Sequence, residues 1–218
     1  MTLRERHVIG GGIVLIMALV SVLAFPRVPA EMVTHWSQGG PDGTMGRTLA
    51  LVGLPALAAG LLLFFELLPR IDPLGQHLTE LGRYYDALVA VGVGIVGYAH
   101  VLVVVWNLGY TFDIMQAIVP AVAVAYYVAG VVMERVDKNW FVGVRTPWTL
   151  TSEEVWNRTH ELGAPLFKVS AVLTLGAILL PEFAMFFLVG PVAVSALFLT
   201  VYSYLAYRNL GADAKENV

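Results

Sequence analysis

The stretch "ALVAVGVGIVGYAHVLVVVWN", residues 87–107, contains no Asp, Glu, Lys or Arg. Crossing the hydrocarbon of a bilayer as a helix takes roughly 20 mostly apolar residues. This stretch therefore predicts a transmembrane helix. Its one histidine, His100, is interpreted as a polar contact to a neighbouring helix, with a proton relay as the alternative, because polar side chains inside a membrane commonly join helices.

The rest of the chain has the same character. Of its 218 residues, 58% are hydrophobic and only 13% are charged, whereas a soluble domain carries about 25% charged residues. The predicted fold class is therefore an all-α polytopic membrane protein, located in the plasma membrane. Six apolar stretches predict its transmembrane helices, at about 8–25, 48–68, 87–107, 112–133, 164–181 and 183–206.

The distribution of positive charge predicts the orientation of these helices. Arg27 and Arg47 fall in connections on one side. The other side carries ten Lys and Arg residues, and cytoplasmic segments are the ones enriched in positive charge. Both termini are therefore expected in the cytoplasm, with loop 26–47 outside and loop 134–163 inside. The ten residues are Arg4, Arg6, Arg70, Arg83, Arg135, Lys138, Arg145, Arg158, Arg208 and Lys215.

Composition also excludes some functions and suggests a domain division. The net charge of −3 predicts no direct nucleic-acid binding. Without cysteine there are no disulfides, thiolate metal sites or cysteine nucleophiles. Residues 1–70 are predicted to form an N-terminal helix pair with the extracytoplasmic loop, and residues 71–218 a four-helix segment with the cytoplasmic loop.

The outer loop reads "FPRVPAEMVTHWSQGGPDGTMGRT", residues 25–48. Its "GGPDG" run predicts tight turns, because Gly supplies positive φ and Pro presets φ. His35 and Asp42 are ligand types that zinc accepts, but two ligands are too few for a metal site. A structural or binding role is therefore favoured, and no metal or cofactor is predicted. Trp36 reads equally well as an interfacial anchor.

The inner loop contains "NWFVGVRTPWTLTSEEVW", residues 139–156. Pro147 disfavours the α conformation at Thr146. Thr151 and Glu154 have the spacing of a capping box, which predicts a short helix from about residue 152. The apolar face of that helix predicts that it lies in the membrane interface. Three tryptophans would join the aromatic belt there, namely Trp140, Trp148 and Trp156.

Three polar side chains in this loop remain to be assigned. Arg145 lies on a stiff, β-favouring backbone, so its guanidinium could bind a carboxylate or phosphate, a lipid headgroup being the simplest candidate. Glu154 is assigned to capping. His160 has no evident partner in the sequence.

The segment "FVGVRTPWTLTSEEVWNRTH", residues 141–160, closely resembles the signature of the SdpI family of bacterial and archaeal membrane proteins. The outer loop resembles the small domain that usually precedes an SdpI segment, although Val33 replaces a proline and Thr44 and Met45 stand where an aromatic residue is usual. The residues that carry the inner resemblance are Phe141, Gly143, Val144, Arg145, Pro147, Trp148, Thr149, Leu150, Glu154, Val155, Trp156, Thr159 and His160. Those that carry the outer one are Pro29, Thr34, His35, Trp36, Gly39 or Gly40, Pro41, Asp42 and Gly43.

The resemblance implies an immunity protein that protects against a secreted, membrane-active peptide toxin. The family is named for such a protein, which also recruits a transcriptional repressor to the membrane. Lipid, a peptide toxin outside and a repressor inside are the partners implied. The inner matching residues would form a binding or signalling motif, and His35, Trp36, Pro41, Asp42 and Gly43 an extracytoplasmic one.

Two other classes of function stay open from the residues alone. A membrane-embedded enzyme would need its catalytic groups on one side, yet His35 and Asp42 are predicted outside and Glu154 and His160 inside. A small-molecule transporter would be expected to show repeated halves, and none is apparent. We therefore predict a protein that is not an enzyme and has no catalytic residues.

Overall fold

The computed structural model describes residues 3–37, 40–73, 78 and 80–216. In this part of the chain the regular elements are helices, apart from one pair of short strands between the first two. The helices are α1 (Leu3–Ala24), α2 (Arg47–Ile71), α3 (Arg83–Asn107), α4 (Ile114–Met133), α5 (Pro147–Thr151), α6 (Glu153–Thr174), α7 (Gly176–Leu179) and α8 (Ala184–Glu216), with a 3-10 turn at Pro181–Phe183.

Five helical segments are long and apolar enough to cross a membrane: α2, α3, α4, α6 continued by α7, and α8 preceded by the 3-10 turn. The first helix adds a shorter apolar stretch, Val8–Ala24. Large apolar side chains on these helices are exposed, such as Leu15 and Leu197, and a bilayer is the solvent that covers such surfaces. Each predicted span coincides with a helix, which confirms the all-α polytopic class.

The chain divides into two compact units. One comprises Met1–Glu66 and Val89–Ala121, and the other Leu67–Leu88 and Val122–Val218. The functional division predicted at residue 70 stays a prediction, since spatial clustering groups helices and assigns no function to them.

The outer loop of the first unit is a β-hairpin, which the sequence analysis missed. Strands β1 (Glu31–Ser37) and β2 (Gly40–Gly46) pair antiparallel, with irregular register on either side of His35. The described part of "GGPDG" lies in β2 and so is strand rather than turn; Gly39 lies outside the described residues. Pro41 is tolerated because a two-stranded sheet has only edge strands, where a missing N–H need not break a ladder bond.

The core of the first unit lies beneath this hairpin. Met32 is fully buried and packs with apolar side chains from the ends of α1, α2 and α3. Deeper in the helices, Ser21 Oγ donates to the carbonyl of Leu51 at 2.7 Å and lies 3.1 Å from Nε2 of the fully buried His100. Since the serine proton is used on Leu51, the Nε2–H of His100 is the donor to Ser21. His100 therefore joins helices, as the sequence predicted.

Helices α4, α6 and α8 approach closely in the second unit. A Cβ at Gly130 would come 2.7 Å from the carbonyl oxygen of Ala164, so only glycine permits this contact. Pro191 has no N–H for the carbonyl of Phe187 four residues earlier. The hydroxyl of Thr174, which also lies 2.8 Å from the Ser170 carbonyl, approaches that Phe187 oxygen to 3.3 Å. One side chain of α6 thus shares its hydroxyl proton with a backbone oxygen of α8 that lacks its helical donor.

Candidate functional site

The hairpin is tied to α3 by a side-chain amide. Asn107 Oδ1 accepts from the Val33 N–H and its Nδ2 donates to the Val33 carbonyl, both at 2.8 Å. The same Nδ2 lies 2.8 Å from the Val103 carbonyl of its own helix. The amide therefore mimics a third strand for one residue of β1. Sequence reasoning missed Asn107; its signal is a lone amide at the very end of an apolar span.

Trp36 strengthens the same attachment. Its ring meets Trp106 edge-to-face, with centroids 5.7 Å apart, and Trp106 meets Phe112 in the same way at 5.5 Å. The Trp36 side chain also packs on the buried cluster around Met32. Aromatic pairs of this geometry contribute about 0.5–1.5 kcal/mol beyond their burial. Trp36 is thus a packing residue of the hairpin.

His35 and Asp42 face each other across the two strands. Nδ1 of His35 lies 2.5 Å from Oδ1 of Asp42, and the two side chains are 75% and 41% exposed. The hydrogen bond from His35 holds the pKa of Asp42 below its ordinary value of 3.8. Gly43 stands opposite His35 in the register, where a Cβ would come 2.9 Å from the His35 Cβ. Among the described residues no group of three potential metal ligands forms.

A cleft of about 610 Å³ opens between the hairpin and α2. Ligand sites typically occupy about 300–1,000 Å³ and are mostly apolar with a few polar groups. This cleft fits that description, because aliphatic side chains dominate it and His35 is its ionisable group. The lining residues are Thr34, His35, Gly43, Thr44, Met45, Leu49, Ala50, Gly53, Leu54, Leu57 and Val103.

In the second unit, the loop of residues 134–152, here called the motif loop, is organised by Asn139. This side chain is fully buried. Its Oδ1 accepts from the N–H groups of Phe141 and Val142 at 2.8 and 2.7 Å, while Nδ2 donates to the carbonyls of Asp137 and Val142. One side chain thereby replaces four backbone partners that a loop lacks. Sequence reasoning missed this residue too.

His160 closes the loop from α6. Its Nε2 accepts from the Val144 N–H at 3.0 Å, so Nδ1 carries the ring proton and donates to the Trp156 carbonyl at 2.8 Å. Gly143 passes directly over this ring with φ of +111°, and a Cβ there would come 2.3 Å from Nε2. Any other residue at 143 would push the imidazole away. His160 therefore has partners, contrary to the sequence analysis.

Trp156 is a second buried support of the loop. Its ring stacks on His160 with centroids 4.0 Å apart, and its Nε1 donates to the Val136 carbonyl at 2.9 Å. The side chain is fully buried. The expectation that Trp156 joins an interfacial aromatic belt is therefore wrong: its indole N–H is used inside the protein. Trp140, by contrast, is 51% exposed.

The capping box lies five residues earlier than predicted, on α5, while the helix predicted from about residue 152 begins at Glu153. Thr146 and Thr149 form a reciprocal capping box on the short helix α5, and Ser152 is the N-cap of α6. Thr151 instead donates to the Pro147 carbonyl, and Glu154 binds Arg158 one turn on at 2.6 Å. The prediction of a Thr151–Glu154 box is wrong because Thr146 caps α5 and Ser152, one residue after Thr151, caps α6.

Helix α6 runs without a break from Glu153 to Thr174. The separate helix predicted to lie in the membrane interface is thus absent from this described segment. Of its apolar face, Val155 and Thr159 are fully buried, whereas Leu162 is 37% exposed. Most of that face therefore packs against protein rather than lying on a lipid surface.

The predicted motif residues divide into a buried framework and an exposed face. Trp148 packs against Tyr204 with ring centroids 5.1 Å apart, and the Thr146 hydroxyl lies 3.0 Å from that of Ser203. Arg145 is exposed, with Nη1 donating to the Trp140 carbonyl at 3.0 Å. The exposed members are Arg145, Pro147 and Glu154; Thr149, Trp156 and His160 are buried, and Phe141, Gly143, Trp148 and Leu150 lie between.

Comparison with known families agrees with this division into hairpin and motif loop. Residues 135–203, which hold the motif loop, α6 and much of α8, match the SdpI/YfhL protein family. Residues 12–59, which hold the hairpin, match a domain of unknown function, DUF1648. The chain is therefore a multi-pass plasma-membrane protein whose residues 135–203 are similar to the SdpI family. The resemblance inferred from both loops is confirmed.

The similarity extends along almost the whole chain. It is 23% identical over 211 residues to the Immunity protein SdpI of Bacillus subtilis (strain 168), and the match covers 96% of this chain and 99% of that protein. No solved structure matches the chain.

Proposed function

We propose that this chain is an immunity protein of the SdpI type, which protects its cell against a secreted, membrane-active peptide toxin by binding it. The observation that carries the proposal is the end-to-end similarity to an immunity protein, which includes the hairpin as well as the motif loop. We place the hairpin outside the cell and both termini in the cytoplasm, on the distribution of Lys and Arg.

The cleft beside the hairpin is the proposed toxin contact. A membrane-active peptide carries apolar side chains, which the aliphatic walls of the cleft would bury. Leu54 and Met45 form such walls, and His35 offers a hydrogen-bonding ring beside them. The hairpin is held by Asn107 and Trp36, so its position does not have to be ordered on binding. We accordingly assign no enzymatic step to the protein.

The exposed face of the motif loop is proposed as a signalling contact for a cytoplasmic transcriptional repressor. Arg145 is exposed on a loop that Asn139 and His160 hold in place. A fixed guanidinium suits recognition of a carboxylate. Arg145→Ala should abolish toxin-dependent recruitment of the repressor while leaving protection itself intact, as measured by membrane fractionation. Unchanged recruitment would remove this part of the proposal.

Survival of sensitive cells tests the main proposal. The gene is expressed in a sensitive strain, which is challenged with the peptide against which the Bacillus relative gives immunity, and with supernatant of the organism that carries the gene. Protection by the wild type against either is the expected result. Equal killing with and without the protein, at verified membrane levels, contradicts the proposal.

A pair of glycines on α2 localises the contact. Gly53 lines the cleft, and a Cβ built there meets nothing within 4 Å. Gly53→Leu should fill the cleft. It should lower the highest toxin concentration that the cells survive about tenfold, which corresponds to a loss of about 1.4 kcal/mol of binding free energy. Gly60→Leu is the matched control, since Gly60 also has open space and does not line the cleft. Equal protection by both variants would place the toxin elsewhere.

A further inference from the structure

Two guanidinium groups converge on one phenol in the second unit. Arg135 Nη1 donates to the hydroxyl oxygen of Tyr84 at 2.7 Å, and Arg83 Nη2 donates to the same oxygen at 3.0 Å. Their Cζ atoms lie 4.8 and 5.0 Å from the centroid of the Tyr84 ring. The two arginines come from different elements, because Arg83 begins α3 and Arg135 follows α4.

Among the described residues, Glu134 is close enough to act electrostatically on Tyr84, but neither arginine has a carboxylate of its own. Neither Arg83 nor Arg135 forms an ion pair within the described part of the chain. The carboxylate next to them in sequence, Glu134, binds Lys168 at 2.5 Å. Two like charges drawn to one neutral oxygen repel each other, and an anion between them would remove that repulsion.

The tyrosine adds a third donor. Its hydroxyl oxygen accepts both arginine bonds, and its own proton goes to no other described residue. A phenol that accepts two hydrogen bonds can still donate one. Arg83 and Arg135 are exposed and Tyr84 is half-buried, so a ligand can reach all three groups.

We propose that Arg83, Tyr84 and Arg135 form a phosphate-binding site. Guanidinium forks match the oxygens of phosphate, and hydrogen bonds to charged groups are among the strongest in proteins. A compact tetrahedral anion can accept from two guanidiniums and one hydroxyl at once. The site is separate from the hairpin cleft and from Arg145, and it does not depend on the proposed immunity function.

The phosphate can come from a phospholipid headgroup or from solution. Both arginines lie at the ends of membrane-spanning helices, where headgroups meet a protein and basic residues attract anionic lipids. The two sources share the same oxyanion chemistry. They differ in whether acyl chains accompany it, and this is what the experiment separates.

Thermal stability of the purified full-length protein in neutral detergent provides the test. Three ligands are added at equal ionic strength: dihexanoyl phosphatidylglycerol, dihexanoyl phosphatidylcholine and inorganic phosphate, against chloride. The phosphatidylglycerol arm is expected to raise the unfolding temperature more than the phosphatidylcholine arm does. An equal rise with inorganic phosphate assigns the site to free phosphate, and a rise with phosphatidylglycerol alone assigns it to a lipid headgroup.

Three variants and a control connect the effect to the site. Arg135→Gln and Arg83→Gln should each weaken binding of the stabilising ligand about tenfold or more, because each removes a charge-assisted hydrogen bond. Tyr84→Phe keeps the ring and both charges but removes the hydroxyl, and should weaken binding several-fold. Arg208→Gln removes the same charge from an exposed position on α8 and should leave binding unchanged.

Two outcomes would overturn the proposal. One is an unfolding temperature that responds to no phosphate ligand. The other is a response that Tyr84→Phe and the arginine variants retain at wild-type strength. If an arginine variant does not fold, native mass spectrometry of Tyr84→Phe decides, because loss of co-purified or added phosphate ligand is still expected there.

Discussion

The hairpin and the motif loop are both organised by an asparagine amide, but the two amides act over very different distances along the chain. Asn139 bonds backbone groups two and three residues away. Asn107 bonds Val33, which is 74 residues away. Asn139 therefore organises the motif loop locally, although His160 of α6 and Ser203 of α8 also contact the loop. The hairpin is held in position by Asn107 of α3, so a change at this residue should release the hairpin.

The largest effect should come from Gly143→Ala, at about 4 kcal/mol of the free energy of unfolding. Positive φ costs a non-glycine residue about 1–3 kcal/mol, and the added Cβ would displace His160 from the Val144 N–H, leaving it unsatisfied. Gly40→Ala in the hairpin is the matched control, because its φ is +105° but nothing lies within 4 Å. Thermal unfolding of both variants measures the difference. Equal losses would mean that the contact with His160 contributes nothing.

Asn107→Ala should release the hairpin, at a local cost of about 3 kcal/mol, because the variant leaves the Val33 N–H and carbonyl without partners. Hydrogen exchange at the amide of Val33 should accelerate, while exchange at Val144 in the motif loop should not change. Asn157→Ala, at an exposed position on α6, is the control. An unchanged rate of hydrogen exchange at Val33 would show that the hairpin keeps its position without Asn107.

Thr149→Val should destabilise the motif loop by about 2 kcal/mol. The substitution keeps the shape but removes a buried Oγ1 that accepts from the Thr146 N–H and donates to the Val144 carbonyl, both at 2.9 Å. Thr44→Val on the exposed face of β2 should stay within about 0.5 kcal/mol. Denaturant or thermal unfolding compares them. A similar loss in the free energy of unfolding for both variants would mean that the buried hydrogen bonds of Thr149 do not stabilise the loop.

The smallest effect concerns the exposed His35–Asp42 pair. The hydrogen bond from His35 lowers the pKa of Asp42, so its contribution to hairpin stability is present above pH 3.8 and is lost as the pH falls below that value. His35→Ala should raise the Asp42 titration midpoint towards 3.8, as followed by the carboxyl carbon shift in NMR. An unchanged midpoint in His35→Ala would show that the pair does not interact in solution.

The spans and the motif were predictable because they depend on signals contained in short windows. A run of about 20 apolar residues fits a bilayer whatever the rest of the chain does. Part of the motif loop likewise depends on local partners, such as the bond between Thr146 and Thr149. Its signature is consequently a continuous string of residues that can be read as one unit.

The rest depended on contacts between distant parts of the chain. Asn107 lies 74 residues from Val33, so the local sequence of the hairpin does not contain its partner. That local sequence predicted a loop with turns. His160 seemed to have no partner because Val144 lies 16 residues before it. The cap was misplaced because Thr146 and Ser152 compete with Thr151 for the same role, and spacing alone does not rank them. The cleft, which needs the hairpin to exist, could not be predicted at all.

The carbonyl of Phe187, which Pro191 leaves without a backbone donor, also bears on how the protein is assembled. When α8 first enters the bilayer by itself, that oxygen lacks the donor that the fourth residue after it would normally supply. The hydroxyl of Thr174 reaches it only after α6 and α8 have come together. This contact therefore adds to the association of α6 with α8. Pro191 in α8 and Thr174 in α6 together thus create a polar contact that exists only when the two helices are packed.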